Sequence, residues 1–146
     1  MNIRHFLNKS MPKYENSEAY KIALNNIEKC NNMIDLGCGS NPHPKASVAV
    51  DKYIEPVHRK FGANKRIDVN EIERKGIKFI EADFECLPFK DKEFDFAYSH
   101  HVVEHLDNPS KALNEMMRIS RGGNYLSRHY GRIYFWSYLS QMDSNQ

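Results

Sequence analysis

The chain has 146 residues and a formal net charge of +2, with 40% hydrophobic and 27% charged residues. That size suits one small domain, and that composition excludes wholesale disorder. The near-balanced charge argues against a dedicated nucleic-acid binder. No apolar run approaches the ~18 to 20 residues of a membrane helix, and the N-terminal stretch MNIRHFLNKSMPKY lacks the apolar core of a signal peptide. Cys30, Cys38 and Cys86 form an odd, sparse set with no CxxC pair. A disulfide framework and a cysteine zinc site are therefore disfavoured, and the expected compartment is a reducing cytoplasm.

Residues 1–16 are polar and read as an N-terminal arm. Ser17 is placed to cap a helix running to about Lys29, in which Tyr20, Ala23, Leu24 and Ile27 form one apolar stripe. Met33 to Leu36 reads as a short buried strand that enters the glycine turn Gly37-Cys38-Gly39-Ser40. Ser47 to Asp51 is a second strand, ending on an acid. Residues 52–78 are locally basic, with short helices expected near Glu55 to Phe61 and near Asn70 to Arg74. Ile77 to Glu81 is a third strand and Phe94 to Ser99 a fourth. Asn108 and Pro109 start a helix whose apolar face is expected to be Ala112, Leu113, Met116, Met117 and Ile119, and Gly122-Gly123 is expected to end it. The stretch 124–146 holds six aromatics, from Tyr125 to Tyr138, and reads as an aromatic-rich tail after the core. Within it, Arg132 to Leu139 reads either as a fifth strand or as an aromatic tail.

Strands alternating with helices predict a parallel α/β sheet. In such sheets ligands bind at the carboxyl ends of the strands. Gly37 and Gly39 lack a Cβ, so a ligand can lie against that backbone. Asp51 can accept from both hydroxyls of a ribose, or simply cap a helix. Asp83, after the third strand, can accept from an adenine amino group while the Phe84 backbone N–H donates to a ring nitrogen. Leu87 and Phe89 read as base-packing or core residues, and Asp95 as a structural acid. A dinucleotide fingerprint wants a third glycine where Pro42 stands, and the link from Gly39 to Ser47 is short for a crossover helix. A pyrophosphate would then lose its helix N-terminus. A nucleoside-like ligand without phosphates is favoured.

Asp35 to Gly39, Asp51, Asp83, the stretch Leu87 to Asp95, the stretch Ser99 to Leu106 (SHHVVEHL), and Leu113 to Gly123 follow in order. Together they resemble a class I S-adenosylmethionine-dependent methyltransferase of the type 11 group, over residues 18–123. The resemblance implies a Rossmann-like open parallel sheet with flanking helices. It implies a core at 17–123 and S-adenosyl-L-methionine as cofactor. The implied cofactor-binding set is Asp35, Gly37, Gly39, Asp51, Asp83, Phe84 and Ser99. Gly37 and Gly39 would lie against the methionine part, Asp51 would hold the ribose, and Asp83 with Phe84 the adenine. Ser99 and His100 would border the sulfonium, and His100, His101 and Glu104 are the candidate catalytic groups. Members of the family continue past the glycine pair with further strands, so the sheet is expected to be truncated at its C-terminal edge.

His101 and His105 could share a helical face, but HHVVEH is not HExxH and no third ligand follows, so no metal is expected. The function expected is methyl transfer to an unidentified acceptor, a small molecule being favoured over nucleic acid. The alternatives are a truncated, non-catalytic cofactor-binding relative and a nucleotide- or NAD-binding oxidoreductase domain. An open sheet edge would favour self-association.

Overall fold

The computed structural model describes residues 18–55, 65–121, 125–129 and 132–136. The expected arm at 1–16, the Ser17 cap, most of the helix expected near 55–61 and the glycine pair at 122–123 lie outside the described residues.

Helix α1 (Glu18–Lys29) forms as its apolar period predicts, burying Tyr20, Ala23 and Ile27 against the sheet. Its last carbonyls are satisfied from a distance. Lys45 Nζ donates to Ile27 O at 2.8 Å, to Glu28 O at 2.6 Å and to Cys30 O at 3.3 Å. A cation there also complements the negative end of the helix dipole. The amides of Asn31 and Asn32 then donate to Asp95 Oδ2 at 3.1 and 3.0 Å, so Asp95 is the structural acid expected.

Strands β1 (Met33–Leu36), β2 (Ala46–Asp51), β3 (Lys78–Glu81), β4 (Phe96–His100), β5 (Tyr125–His129) and β6 (Arg132–Trp136) build one six-stranded sheet in the order β3-β2-β1-β4-β5-β6. All neighbours are parallel except β5 and β6, which pair antiparallel. This is the Rossmann-like open sheet the sequence predicts. Its far edge differs from expectation. The strand read at Arg132 to Leu139 as a possible fifth takes the sixth place, as Arg132–Trp136. Tyr125–His129, read as part of an aromatic tail, supplies the fifth. Parallel pairing to β4 fixed that order, and pairing is a long-range choice that local patterning does not encode.

β1 lies at the centre, and all four of its residues are buried. The alternation of side chains sorts the core into two layers. Met33, Ala49, Phe96 and Tyr98 face α1 and helix α2 (Val69–Arg74). Ile34, Leu36, Val50 and Ala97 face helix α3 (Pro109–Ile119). Asn108 caps α3 by accepting from the Lys111 amide at 3.0 Å, with Pro109 in the first turn, as predicted. Two expectations for α3 fail. Ala112, Met116 and Ile119 are buried, but Met117 is 40% exposed. Residues 116 and 117 are a hundred degrees apart around a helix, so only one can face the sheet. The helix also stops before the glycine pair. Ser120 is already extended, bridges to Phe94, and Arg121 N donates to Phe94 O at 2.8 Å.

Candidate functional site

The carboxyl ends of β1, β2, β3 and β4 surround a cavity of about 440 Å³. That volume lies within the range of small-molecule sites, and the location is where open parallel sheets bind ligands.

The floor is the turn after β1. Gly37 N and Cys38 N both donate to Val50 O, at 2.8 and 3.0 Å, folding the turn across β2. Gly37 and Gly39 are left-handed, at φ +74° and +56°. Their two missing Cβ atoms do different work. At Gly37 a Cβ would land on the Val102 side chain, 2.7 Å from Cγ1, so that space is filled by the protein itself. At Gly39 a Cβ would meet nothing within 4 Å, so the space beside it belongs to the cavity. Between β1 and β2, residues 37–45 form turns and no helix.

Asp51 ends β2 at the cavity wall. Its Oδ2 accepts from Gly39 N at 2.9 Å and its Oδ1 from Tyr53 N at 3.1 Å. A carboxylate offers about four acceptor positions, so a hydroxyl pair can still be accommodated. Just past the neighbouring β3, Asp83 accepts from Glu85 N at 2.9 Å and pairs with Lys52 Nζ at 2.7 Å. The Lys52 hydrogen bond, aided by the Glu85 amide, holds the Asp83 carboxyl below the usual carboxylate range. Phe84 follows, buried yet part of the same wall. Leu87 is buried in the α3 layer and Phe89 packs against it, edge-on to Phe94 at 5.1 Å, so both are core residues.

The remaining sequence candidates divide. Asp35 does not line the cavity. Its buried carboxylate accepts from His43 N at 2.7 Å beneath the first turn, and burial pushes its pKa up to about 7. Ser99 is fully buried, opposite Leu36 on β1 and Ser127 on β5. His100 packs between Tyr98 and His101, with centroids at 6.4 and 4.3 Å, and is not in the lining. His101 does line the cavity, as do Val102 and His105. Glu104 sits behind them, its Oε1 3.3 Å from His101 Nδ1. Among the described residues, no group of three or more His, Cys, Asp or Glu side chains is arranged to hold a metal ion.

Sequence reasoning missed Lys52 and Val102. Lys52 directly follows the strand-end acid, a signal available in the sequence. The seating of Val102 on Gly37 had none. A second tie, Glu85 Oε1 accepting from Asn108 N at 2.9 Å, joins the loop after β3 to the start of α3.

Residues 34–127 match the sequence family described as "Methyltransferase domain". The uncharacterized protein MJ1123 of Methanocaldococcus jannaschii is 35% identical over 114 residues, covering 77% of this chain and 52% of that protein. The demethylmenaquinone methyltransferase of Renibacterium salmoninarum is 31% identical over 93 residues, covering 64% and 37%. The chain thus spans about half or less of the length of these relatives. Among solved structures, the YcgJ protein of Bacillus subtilis superposes with a TM-score of 0.57 at 22% identity, covering 77% of this chain and 50% of that one, which supports the fold. The family match runs from β1 into β5, through every strand end that frames the cavity. With the sheet order and the acids at 51 and 83, it shows that this chain belongs to the class I S-adenosylmethionine-dependent methyltransferase family.

Proposed function

We propose that the cavity binds S-adenosylmethionine and serves methyl transfer to a small organic acceptor. The observation that carries this reading is Asp51. Its carboxylate is held by the Gly39 and Tyr53 amides in the wall of a cavity shared with Asp83 and Phe84. The open space beside Gly39 fits a ligand chain lying on the turn. When bound, the cofactor supplies a methyl group on a sulfonium, already activated for transfer. The residues here contribute binding, orientation and exclusion of water. Gly37 and Gly39 would bear the amino-acid portion and Asp51 the ribose hydroxyls. Asp83, kept ionised by Lys52, would accept from the adenine amino group. His101, at the cavity, is the candidate for taking a proton from an acceptor.

The NAD-binding alternative is weakened by the same turn. Residues 37–45 offer no helix N-terminus to a pyrophosphate. Among the described residues no helix is long and apolar enough to cross a membrane. We infer a cytoplasmic site of action from the three cysteines, none in a disulfide. Self-association through the open edge of the sheet remains part of the proposal. Calorimetry on the purified chain tests the central reading. S-adenosylhomocysteine is expected to bind more tightly than NAD, and the reverse order would sink the proposal.

A further inference from the structure

The segment leaving β4 carries an arrangement that cofactor binding does not use. His101 holds left-handed backbone at φ +55° although it bears a side chain. Such outliers persist only where their surroundings fix them, and they cluster at functional sites. Behind it, Glu104 lies in a single 3₁₀ turn, Val103–His105, with its side chain only 8% exposed. Glu104 Oε1 is 3.3 Å from His101 Nδ1 but 3.8 Å from His105 Nε2, the latter beyond hydrogen-bond reach. Both imidazoles line the cavity, and Glu104 does not.

With the Glu104 oxygen as acceptor of this contact, the proton between Glu104 and His101 belongs to Nδ1. A neutral imidazole with its proton on Nδ1 carries its basic lone pair on Nε2. The geometry points to Glu104 as a positioning residue that fixes His101 in the Nδ1–H tautomer and makes Nε2 the proton acceptor of the site. This rests on the methyltransferase reading and specifies the acceptors it suits, those whose attacking atom arrives with a proton, such as a hydroxyl. In that transfer the acceptor oxygen gains the methyl carbon. The electrons of the carbon–sulfur bond stay with sulfur, and the oxygen's proton moves to Nε2. The Glu104 carboxylate then balances the imidazolium at its other nitrogen. His43 is set in the opposite sense. Its Nδ1 accepts from Lys45 N at 3.1 Å, which places its proton on Nε2.

Nitrogen-15 NMR of the full chain with labelled histidine reads tautomers directly, in mildly alkaline buffer where imidazoles are neutral. His101 is assigned by the loss of its signals in His101→Asn, and His43 serves as the internal reference. His101 is expected to show a protonated Nδ1 and a bare Nε2, the reverse of His43. Glu104→Ala is expected to turn His101 to the Nε2–H form. Glu104→Gln, whose amide oxygen still accepts from Nδ1, is expected to keep the native tautomer. A native His101 protonated on Nε2, or a tautomer unmoved by Glu104→Ala, overturns the assignment. If Glu104→Ala does not fold, the native spectrum alone decides. Calorimetry of the native chain with S-adenosylhomocysteine separates the two readings. Absence of binding sinks the cofactor site, whereas binding beside an Nε2–H His101 sinks the positioning role alone.

Discussion

The turns after β1 and β4 leave neighbouring strands at the same end of the sheet, and each passes through left-handed backbone at once. The first does so at Gly37 and Gly39, the second at His101. Glycine enters that region without steric cost, whereas a residue with a side chain gives up roughly 1 to 2 kcal/mol there. The first turn has thus shed side chains to admit other atoms, Val102 at Gly37 and cavity space at Gly39. The second keeps a side chain in a strained place and braces it with Glu104. Backbone geometry alone does not distinguish a cradle from a presented group. What occupies the missing or retained Cβ does.

The largest effect expected is at the point where the two turns meet. Gly37→Ala combines the left-handed cost with overpacking against Val102, and should lower stability by about 2 to 5 kcal/mol in urea unfolding. Adding Val102→Ala should return the packing part, leaving a coupling of about 1 to 3 kcal/mol in the double-mutant cycle. Strict additivity would show that the two turns are not packed as described.

Beneath the first turn lies a buried pair whose pH responses oppose each other. The Asp35 pKa is raised from 3.8 to about 7 by burial, and the His43 pKa is lowered from 6.5 to about 4, chiefly by burial. A raised acid binds protons more tightly when folded, so Asp35 removes stability as pH rises from about 4 to 7. A lowered base has the opposite effect, so His43 adds stability as pH rises from about 4 to 6.5. Over the shared window the slopes offset, each roughly 1.4 kcal/mol per pH unit. Asp35→Asn should therefore expose the His43 slope, its stability climbing by about 3 kcal/mol between pH 4 and 6.5 relative to the native chain. Parallel pH curves for the two proteins would refute this.

A smaller loss is expected in binding. Asp51→Ala leaves ribose hydroxyls without an acceptor and should weaken S-adenosylhomocysteine by about 1 to 3 kcal/mol in calorimetry. An unchanged affinity would remove Asp51 from the site. The smallest test compares the turns directly. Gly39→Ala, with open space for its methyl group, should cost about 1 kcal/mol, the backbone contribution alone. At position 101 the sign reverses, and His101→Gly should be about 1 kcal/mol more stable than His101→Ala. Equal stabilities for those two variants would mean that His101 does not hold left-handed backbone in solution.

The residues of the first turn were legible because their signals are local. A strand ending in glycines, an acid ending the next strand and an Asn-Pro helix start each announce themselves within a few residues. Helix periodicity likewise placed Tyr20, Ala23 and Ile27 in the core, since the same face recurs every turn. It overreached at Met117, because apolar character says nothing about which of two adjacent residues meets the sheet. Asp35 and Asp51 illustrate the limit more sharply. Asp35 lies two residues before a glycine turn and Asp51 is the last residue of its strand, yet one is sealed under the turn and the other lines the cavity.

The sequence by itself determined the class of fold, the glycine turn that follows the first strand and the acid that ends the second, because strand period, turn chemistry and cap residues act over a few bonds. Only the tertiary structure decided the order of β5 and β6, the Lys52–Asp83 pair, the seating of Val102 on Gly37 and the burial of Glu104 behind His101. Each of these depends on which strand edge or side chain arrives alongside from a distant part of the chain, and on the water it displaces there.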